Sequence, residues 1–315
     1  LVTLVVPVYN EESSLEPFLA AVAPVFTSLD LRYELLFIND GSTDGTLPRL
    51  VALSTTNSRI KVVNLSRNFS KEAALTAGLD YAEGDVVIPI DVDLQDPPEL
   101  IVRFIELWRE GYDVVYGVRS NRSGDRWFKR WSSALFYKIF NSLSPMKIPE
   151  NVGDFRLVDR RIVEVLKILP ERNRFMKGLF AWVGFRSIAV PYLRPARKVG
   201  TSKWNYWRLW NFALDGLFGF SSLPLRIWIN LGMVIALSSF LFAGAIVLKV
   251  FFYGIAVPGY ASLMTAILFL GGIQLISLGV IGEYLGRVFI EVKRRPVYMV
   301  DGIYQSGGLA SAKKP

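Results

Sequence analysis

Two runs near the C-terminal end limit what this chain can become. Leu231 to Leu248 carries no charged residue, and in Tyr260 to Gly282 Gln274 is the one strongly polar member. At 1.5 Å per residue the first run spans roughly 27 Å, close to the hydrocarbon thickness of a bilayer. Both read as transmembrane helices, at about 227–252 and 260–284, with two buried core helices as the bland alternative. The connection from Tyr253 to Gly259 is short and uncharged, so the pair forms a hairpin whose turn barely emerges. Basic residues sit at the opposite ends, Arg226 before the first run and Arg287, Lys293, Arg294 and Arg295 after the second. Cations of this kind mark the cytoplasmic side, so both termini are expected there. Neither run is a signal peptide, because both lie far from the start of the chain. Leu1 rather than methionine opens the sequence, and residues ahead of it are expected.

Composition agrees with a membrane part, since 51% of the 315 residues are hydrophobic. Cysteine is absent, which removes thiolate chemistry and any disulfide framework. Histidine is absent too, so catalysis must run on carboxylates, basic groups, hydroxyls or a bound metal. The formal charge of +8 favours anionic partners: nucleic acid, phosphorylated substrates or an anionic membrane face.

Before Pro224, short β-branched runs alternate with helical patterns. Strands are expected over Leu1 to Val6, Tyr33 to Ile38, Ile60 to Leu65, Val86 to Ile90 and Asp113 to Val118. Helices are expected over Glu11 to Leu29, Thr46 to Leu53 and Lys71 to Tyr81. This alternation implies an α/β fold, a mostly parallel sheet with helices on both faces, whose ligands bind beyond the C-terminal strand edge. Three loops meet at that edge: Pro7-Val8-Tyr9-Asn10-Glu11-Glu12, Asn39 to Gly45, and Asp91-Val92-Asp93 with Leu94-Gln95-Asp96-Pro97-Pro98 behind it.

Asp91 and Asp93 carry the most chemistry. Two carboxylates one residue apart at a buried strand end suit a hard divalent cation held against a diphosphate, although acidic turns are common at strand ends. Glu11 and Asp40 offer acceptors for a ribose hydroxyl or a base N–H, and Tyr9 an aromatic face. Asn10-Glu11-Glu12 also suits a helix cap, which is the preferred reading for Glu12. Pro7 to Glu12 contains no glycine, against a dinucleotide fold, and no phosphate-binding glycine-lysine run follows a strand.

Basic residues cluster farther on. Arg119 and Arg122 follow the fifth strand, and Arg126, Lys129 and Arg130 open a helix, about 126–141, with Trp127, Trp131, Leu135 and Phe136 on one face. Such a helix suits the headgroup layer, though a core helix with a solvated basic face has the same pattern. Arg186 to Arg208 holds six basic residues and no acidic one, including Arg197, Ser202-Lys203 and a flexible glycine. That stretch suits a phosphate-closing loop or general attraction to anionic lipid. Residues 204–223, with Trp207, Trp210 and Phe218, read as a second interfacial helix. Two spans and headgroup aromatics argue against nucleic acid as the partner.

The ordered motifs PVYNEE, NDGSTDGT, LSRNFSKEAAL, DVDLQDPPE, GVRSNR, GDFRL and SKW, followed by two membrane helices, resemble the polyprenyl-phosphate glycosyltransferases of glycosyltransferase family two. The dolichol-phosphate mannose synthase type, and the bacterial bactoprenol glucosyltransferases most of all, match over nearly the whole chain. Asn39 stands where many relatives have aspartate, and Ser70 where many have glycine. The resemblance implies a GT-A nucleotide-sugar-binding domain over 1–203, an interfacial helix over 204–223, two transmembrane helices within 224–290 and a cytoplasmic tail over 291–315. It implies that Pro7, Tyr9, Glu11 and Asp40 line the nucleotide. Asp91 and Asp93 would manage ribose, diphosphate and a magnesium or manganese ion, Asp93 being the first choice of ligand, with Gln95 beside the metal-bound phosphate. Asp96 is the weaker candidate, because Asp before two prolines is also the expected cap of the next helix. Arg119, Arg122, Arg126, Lys129, Arg130, Arg197, Ser202 and Lys203 would receive the acceptor phosphate. Asp154, with Arg156, would orient that phosphate and take a proton only from its monoanion.

The expected function is inverting transfer of one hexose, glucose first, from a UDP-sugar to undecaprenyl phosphate at the cytoplasmic face of a bacterial inner membrane. Galactose, mannose, N-acetylglucosamine and aminoarabinose stay open, and a homo-oligomer is compatible with the reading. A processive polysaccharide synthase would carry a glutamine three residues before Arg-Trp, and neither Gln95, Gln274 nor Gln305 is so placed. A catalytically silent nucleotide-sugar-binding scaffold is the remaining rival.

Overall fold

The computed structural model describes residues 1–120, 152–169, 171–172, 174–193, 223–253, 259–306 and 308–310. Nine strands form one sheet: β1 (Val2–Val8), β2 (Tyr33–Asn39), β3 (Ile60–Leu65), β4 (Val86–Pro89), β5 (Val114–Arg119), β6 (Val152–Asp159), β7 (Ser187–Tyr192), β8 (Val300–Gln305) and β9 (Gly308–Ala310), in the order β7-β5-β6-β4-β1-β2-β3-β8-β9. The four central strands run parallel, and their mostly apolar sequences suit a sheet covered on both faces. Helices α1 (Leu15–Leu29), α2 (Thr46–Thr56) and α4 (Leu100–Arg109) pack one face, where Phe18, Phe26, Leu50, Phe104 and Phe155 are buried. Helices α3 (Lys71–Tyr81), α5 (Arg160–Ile168) and α6 (Met176–Trp182) cover the other.

Alternation along β1 divides the cores. Val2, Leu4, Val6 and Val8 enter the first and Val5 the second. Helix α3 sits close to the sheet because its inner face is small. A Cβ on Gly78 would stand 2.1 Å from Val5 Cγ1. In-register pairing of Val8 with Asn39 and of Asn39 with Asn64 levels the strand ends, so the following loops open on one edge.

Helices α7 (Leu223–Tyr253) and α8 (Tyr260–Lys293) are the two expected apolar elements. They contain windows of 24 and 25 residues, Asn230–Tyr253 and Phe269–Lys293, long and apolar enough to cross a membrane. None of either window is buried by protein, and Phe240, Leu241 and Phe251 stand largely exposed. Apolar surface on that scale needs a covering phase.

The segment after α8, read from sequence as a tail, returns to the sheet. β8 pairs antiparallel with β3 and buries Ile303. Asn39 donates to Asn64 (2.7 Å), which donates to Asp301 (2.9 Å), and Tyr298 donates to Asp80 (2.8 Å). The Arg172 backbone N–H also donates to Glu291 near the end of α8 (2.8 Å). Truncation after residue 294 therefore uncovers the β3 edge and strands part of this polar chain. It is expected to cost about 3–5 kcal/mol and to favour aggregation, as measured by thermal unfolding and light scattering of the detergent-solubilised protein. A wild-type midpoint in the truncated chain would contradict the structural role of β8.

Candidate active site

Loops, strand ends and helix starts together supply the polar side chains at the C-terminal edge. After β1, Asn10 adopts a left-handed conformation (φ 54°), and its backbone N–H donates to Ser42 Oγ at 2.9 Å. Thr43 N–H donates back to Asn10 Oδ1 (2.8 Å), and Glu11 N–H to Thr46 Oγ1 (2.9 Å). The first two loops are thus stitched together, with Pro7, Tyr9 and Glu11 half-buried beside them. Glu11 Oε2 accepts from Ser14.

Asp40 is buried, and its two carboxylate oxygens accept the backbone N–H groups of Phe69 (2.7 Å) and Ser70 (3.1 Å). Burial raises its pKa against those bonds. Its place is therefore under the loop that starts α3, while each oxygen keeps a further lone pair for a ligand. Ser70 has φ 93° and ψ 159°, a region that glycine alone occupies without strain. Ser70→Gly is expected to raise stability by about 1 kcal/mol in denaturant titration. An unchanged or lower midpoint would contradict the strain.

Beyond β4 the chain turns sharply, with buried Leu94 at φ 55°. That turn lets Asp93, itself buried, accept the Gln95 N–H at 3.2 Å. The expected capping role of Asp96 is corrected. Glu99 precedes α4, and Asp96 instead accepts from the Tyr192 hydroxyl at 2.5 Å. Burial and then the charge of Asp91 push the Asp96 carboxyl up, and burial followed by Asp96 pushes the Tyr192 hydroxyl up. Arg119 Nε lies 3.5 Å from the same hydroxyl, and a guanidine nitrogen of Arg119 closes over the Cα side of Gly153.

Antiparallel pairing of β4 with β6 sets Val87 opposite Val158, and beyond the end of β4 the side chain of Asp91 meets the same lysine as that of Asp154. Lys71, opening α3, spans the two: its Nζ is 2.6 Å from Asp91 Oδ1 and 2.8 Å from Asp154 Oδ2. Burial works to lower the Lys71 pKa, but Asp154 and Asp91 outweigh it and hold the ammonium above its usual range. Burial likewise works to raise Asp154, yet the Lys71 charge prevails and keeps that carboxyl well below the ordinary range. Glu72 accepts the Met176 N–H (3.1 Å) and, through burial and then the charge of Asp154, is pushed up to about 7. Burial lowers Lys177 nearby. Arg156 shares the Asp154 face of β6, where it is buried, stacks 4.1 Å over Phe180 and donates to the Gly153 carbonyl at 2.8 Å.

Among the described residues no three Asp, Glu, His or Cys side chains gather into a complete metal cage. A magnesium- or manganese-like ion does not need one, because one or two carboxylates, substrate phosphates and water complete its shell. Asp91 and Asp93 are the hard oxygen donors that fit such an ion. Of the other expected site residues, Arg122, Arg126, Lys129, Arg130, Arg197, Ser202 and Lys203 lie outside the described residues. So do the helix at about 126–141 and all but the last residue of the one at 204–223. Sequence reasoning passed over Lys71, Glu72, Lys177 and Tyr192. The first two stand inside the LSRNFSKEAAL motif, which is the signal that marks them. Lys177 and Tyr192 belong to elements with no comparable mark.

The Glycosyl transferase family 2 profile matches residues 3–167, and the GtrB C-terminal hairpin profile matches 223–288. A protein named an uncharacterized glycosyltransferase in Synechocystis sp. is 57% identical over 96% of this chain and 95% of its own. The SfII prophage-derived bactoprenol glucosyl transferase of Shigella flexneri is 49% identical over 95% of this chain and 97% of its own. Among solved structures, a mannosyltransferase of Pyrobaculum calidifontis is 18% identical with a TM-score of 0.49, covering 92% of this chain and 86% of that one. With a GT-A sheet, carboxylates at its C-terminal edge and a matched apolar hairpin, the chain belongs to the family 2 glycosyltransferases and is an enzyme of that family.

Proposed function

We propose that this enzyme transfers one hexose, glucose first among candidates, from a UDP-sugar to a polyprenyl phosphate, with undecaprenyl phosphate the expected carrier. The observation that carries the reading is the meeting of Asp91 and Asp154 around Lys71, on a domain whose chain leaves into an apolar hairpin and returns. The name of the 49%-identical relative, a bactoprenol glucosyl transferase, supports the lipid acceptor. Because β1 and β8 belong to one sheet, the hairpin must go out and come back. With the basic residues after α8, that return supports a domain and C-terminal strands on the cytoplasmic side of a bacterial inner membrane.

In this mechanism Pro7, Tyr9 and Glu11 line the nucleoside, and Asp40 supports the loop beneath it. Asp93 and Asp91 would hold a divalent ion, magnesium or manganese, with Gln95 beside the phosphate. When bound, that ion offsets the negative charge growing on the departing diphosphate. Asp154 aims the acceptor phosphate at the anomeric carbon from the opposite side and accepts a proton when the acceptor arrives as its monoanion. Arg156 holds the backbone on which Asp154 stands. Arg119, with the cations of residues 122–130 and 197–203 and the aromatic segments 126–141 and 204–223, brings the lipid phosphate to this edge at headgroup depth.

Incubation of the purified protein with labelled UDP-glucose, a divalent cation and undecaprenyl phosphate tests the reading. A lipid-linked monosaccharide is expected. A water-soluble polymer would favour a processive synthase, and binding without product a silent scaffold. A screen of other UDP-hexoses in the same assay ranks the sugar.

A further inference from the structure

Lys71 is assigned to no ligand in the mechanism above, yet it touches both sides of it. Its ammonium lies within 2.8 Å of a carboxylate from the turn after β4 and of another from β6. The three side chains are only 36%, 30% and 21% exposed, so water screens this contact less than it would a surface pair. The start of α3 is fixed from two directions. Asp40 holds the Phe69 and Ser70 N–H groups, and Glu72 holds the N–H of Met176 at the start of α6. The lysine stem therefore projects from an anchored turn. Asp91, in the turn after β4, and Asp154, on β6, both lie within 2.8 Å of one ammonium, so without it two carboxylates would face each other bare and repel.

We propose that Lys71 is a positioning residue for glycosyl transfer: its ammonium clamps Asp154 to Asp91 and so sets the acceptor-side carboxylate at a fixed place relative to the donor diphosphate. The inference rests on the function proposed above. Without the clamp Asp154 swings away from Asp91, and a displacement of about 1 Å at such a site costs up to about 100-fold in rate.

The test uses the full chain in lipid nanodiscs at pH 6, comparing wild type, Lys71→Met, Lys71→Arg, Asp154→Asn and the Lys71→Met/Asp154→Asn double variant. Lys71→Met is expected to lower kcat about 30-fold with KM for UDP-glucose within about 3-fold of wild type. Lys71→Arg, which keeps the charge, should recover part of kcat. The double variant should be no slower than Asp154→Asn by more than about 3-fold, because the lysine acts through that aspartate. A purely structural lysine would lower the folded fraction without this non-additivity. Losses that multiply, or a Lys71→Met enzyme with kcat within 3-fold of wild type, would overturn the proposal. If Lys71→Met does not fold, the same cycle is run with Lys71→Arg, and its losses must again fail to multiply. Wild-type protein that transfers no sugar to the lipid would overturn the proposed function and this inference with it; an active wild type with multiplying losses overturns this inference alone.

Discussion

Asp93→Ala is expected to slow sugar transfer about 10³-fold while leaving thermal unfolding close to wild type. The expectation follows from where the residue sits. Buried Leu94, at φ 55°, turns the chain so that the Asp93 carboxylate accepts the Gln95 N–H, which fixes its direction at the edge of the sheet. With histidine and cysteine absent from the chain, hard oxygen donors are the ones left for a cation on the diphosphate. Removing the first of them withdraws stabilisation that is needed most in the transition state, so kcat falls more than donor affinity. Glu99→Ala, at an exposed position before α4, should stay within about 2-fold of wild type and serves as the control. Steady-state kinetics over a range of divalent concentration decide it. An Asp93→Ala enzyme with wild-type kcat would remove this residue from the reaction.

The second large effect depends on pH. Asp154 is held well below the usual carboxylate range, because the Lys71 charge outweighs the burial that would raise it. Its folded value is depressed, so its contribution to stability is present above the unfolded carboxylate value and is lost only as pH falls toward the folded one. The carboxylate is therefore ionised throughout the neutral range, and the pH dependence comes from the acceptor and from Glu72 beside Asp154, which is pushed up to about 7 in wild type and loses the Asp154 charge in Asp154→Asn. A phosphate monoester loses its second proton near pH 6, and an anionic membrane surface shifts that upward. Near pH 8 the acceptor is a dianion and Asp154 only orients it; near pH 6 much of it is a monoanion, whose proton passes to Asp154 only as the new C–O bond forms and the phosphate becomes the more acidic diester. Asp154→Asn is accordingly expected to cost about 10-fold near pH 8 and roughly 50-fold or more near pH 6, with the wild-type profile flatter than that of the variant. Equal losses at both pH values would leave Asp154 an orienting role only.

Much of the fold was legible from residue pattern. The central strands are mostly apolar runs, and α3 begins and ends where its Ala and Leu spacing predicts, at Lys71 and Tyr81. β5 was legible as well, whereas β6, β7 and β8 hid for physical reasons. β6 reads as a polar loop because Asp154 and Arg156 are charged, and partners distant in sequence, Lys71 and Phe180 among them, help make their burial acceptable. Pro191 disguises β7, which tolerates it as an outer strand of the sheet. β8 carries Asp301 and Gly302, and nothing local announces that it closes against β3. The site was half readable for the same reason. Asp91, Asp93 and Asp154 stand out by type and motif. Lys71 is one more cation at a helix start until the β4–β6 register brings two carboxylates to its ammonium. Asp96 misled in the other direction, since the sequence Asp-Pro-Pro suits a cap and the Tyr192 hydroxyl that claims it comes from the far edge of the sheet.

The most direct test of the central claim follows UDP release and lipid-linked hexose together, for wild type and the Asp91→Ala/Asp93→Ala variant, in membranes with and without undecaprenyl phosphate and a metal chelator. The account predicts one UDP released per hexose-phospholipid formed by wild type with carrier and divalent cation, and almost none when the carrier, the cation or the two carboxylates are removed. Full-rate product from the double variant with all divalent metal chelated would contradict it.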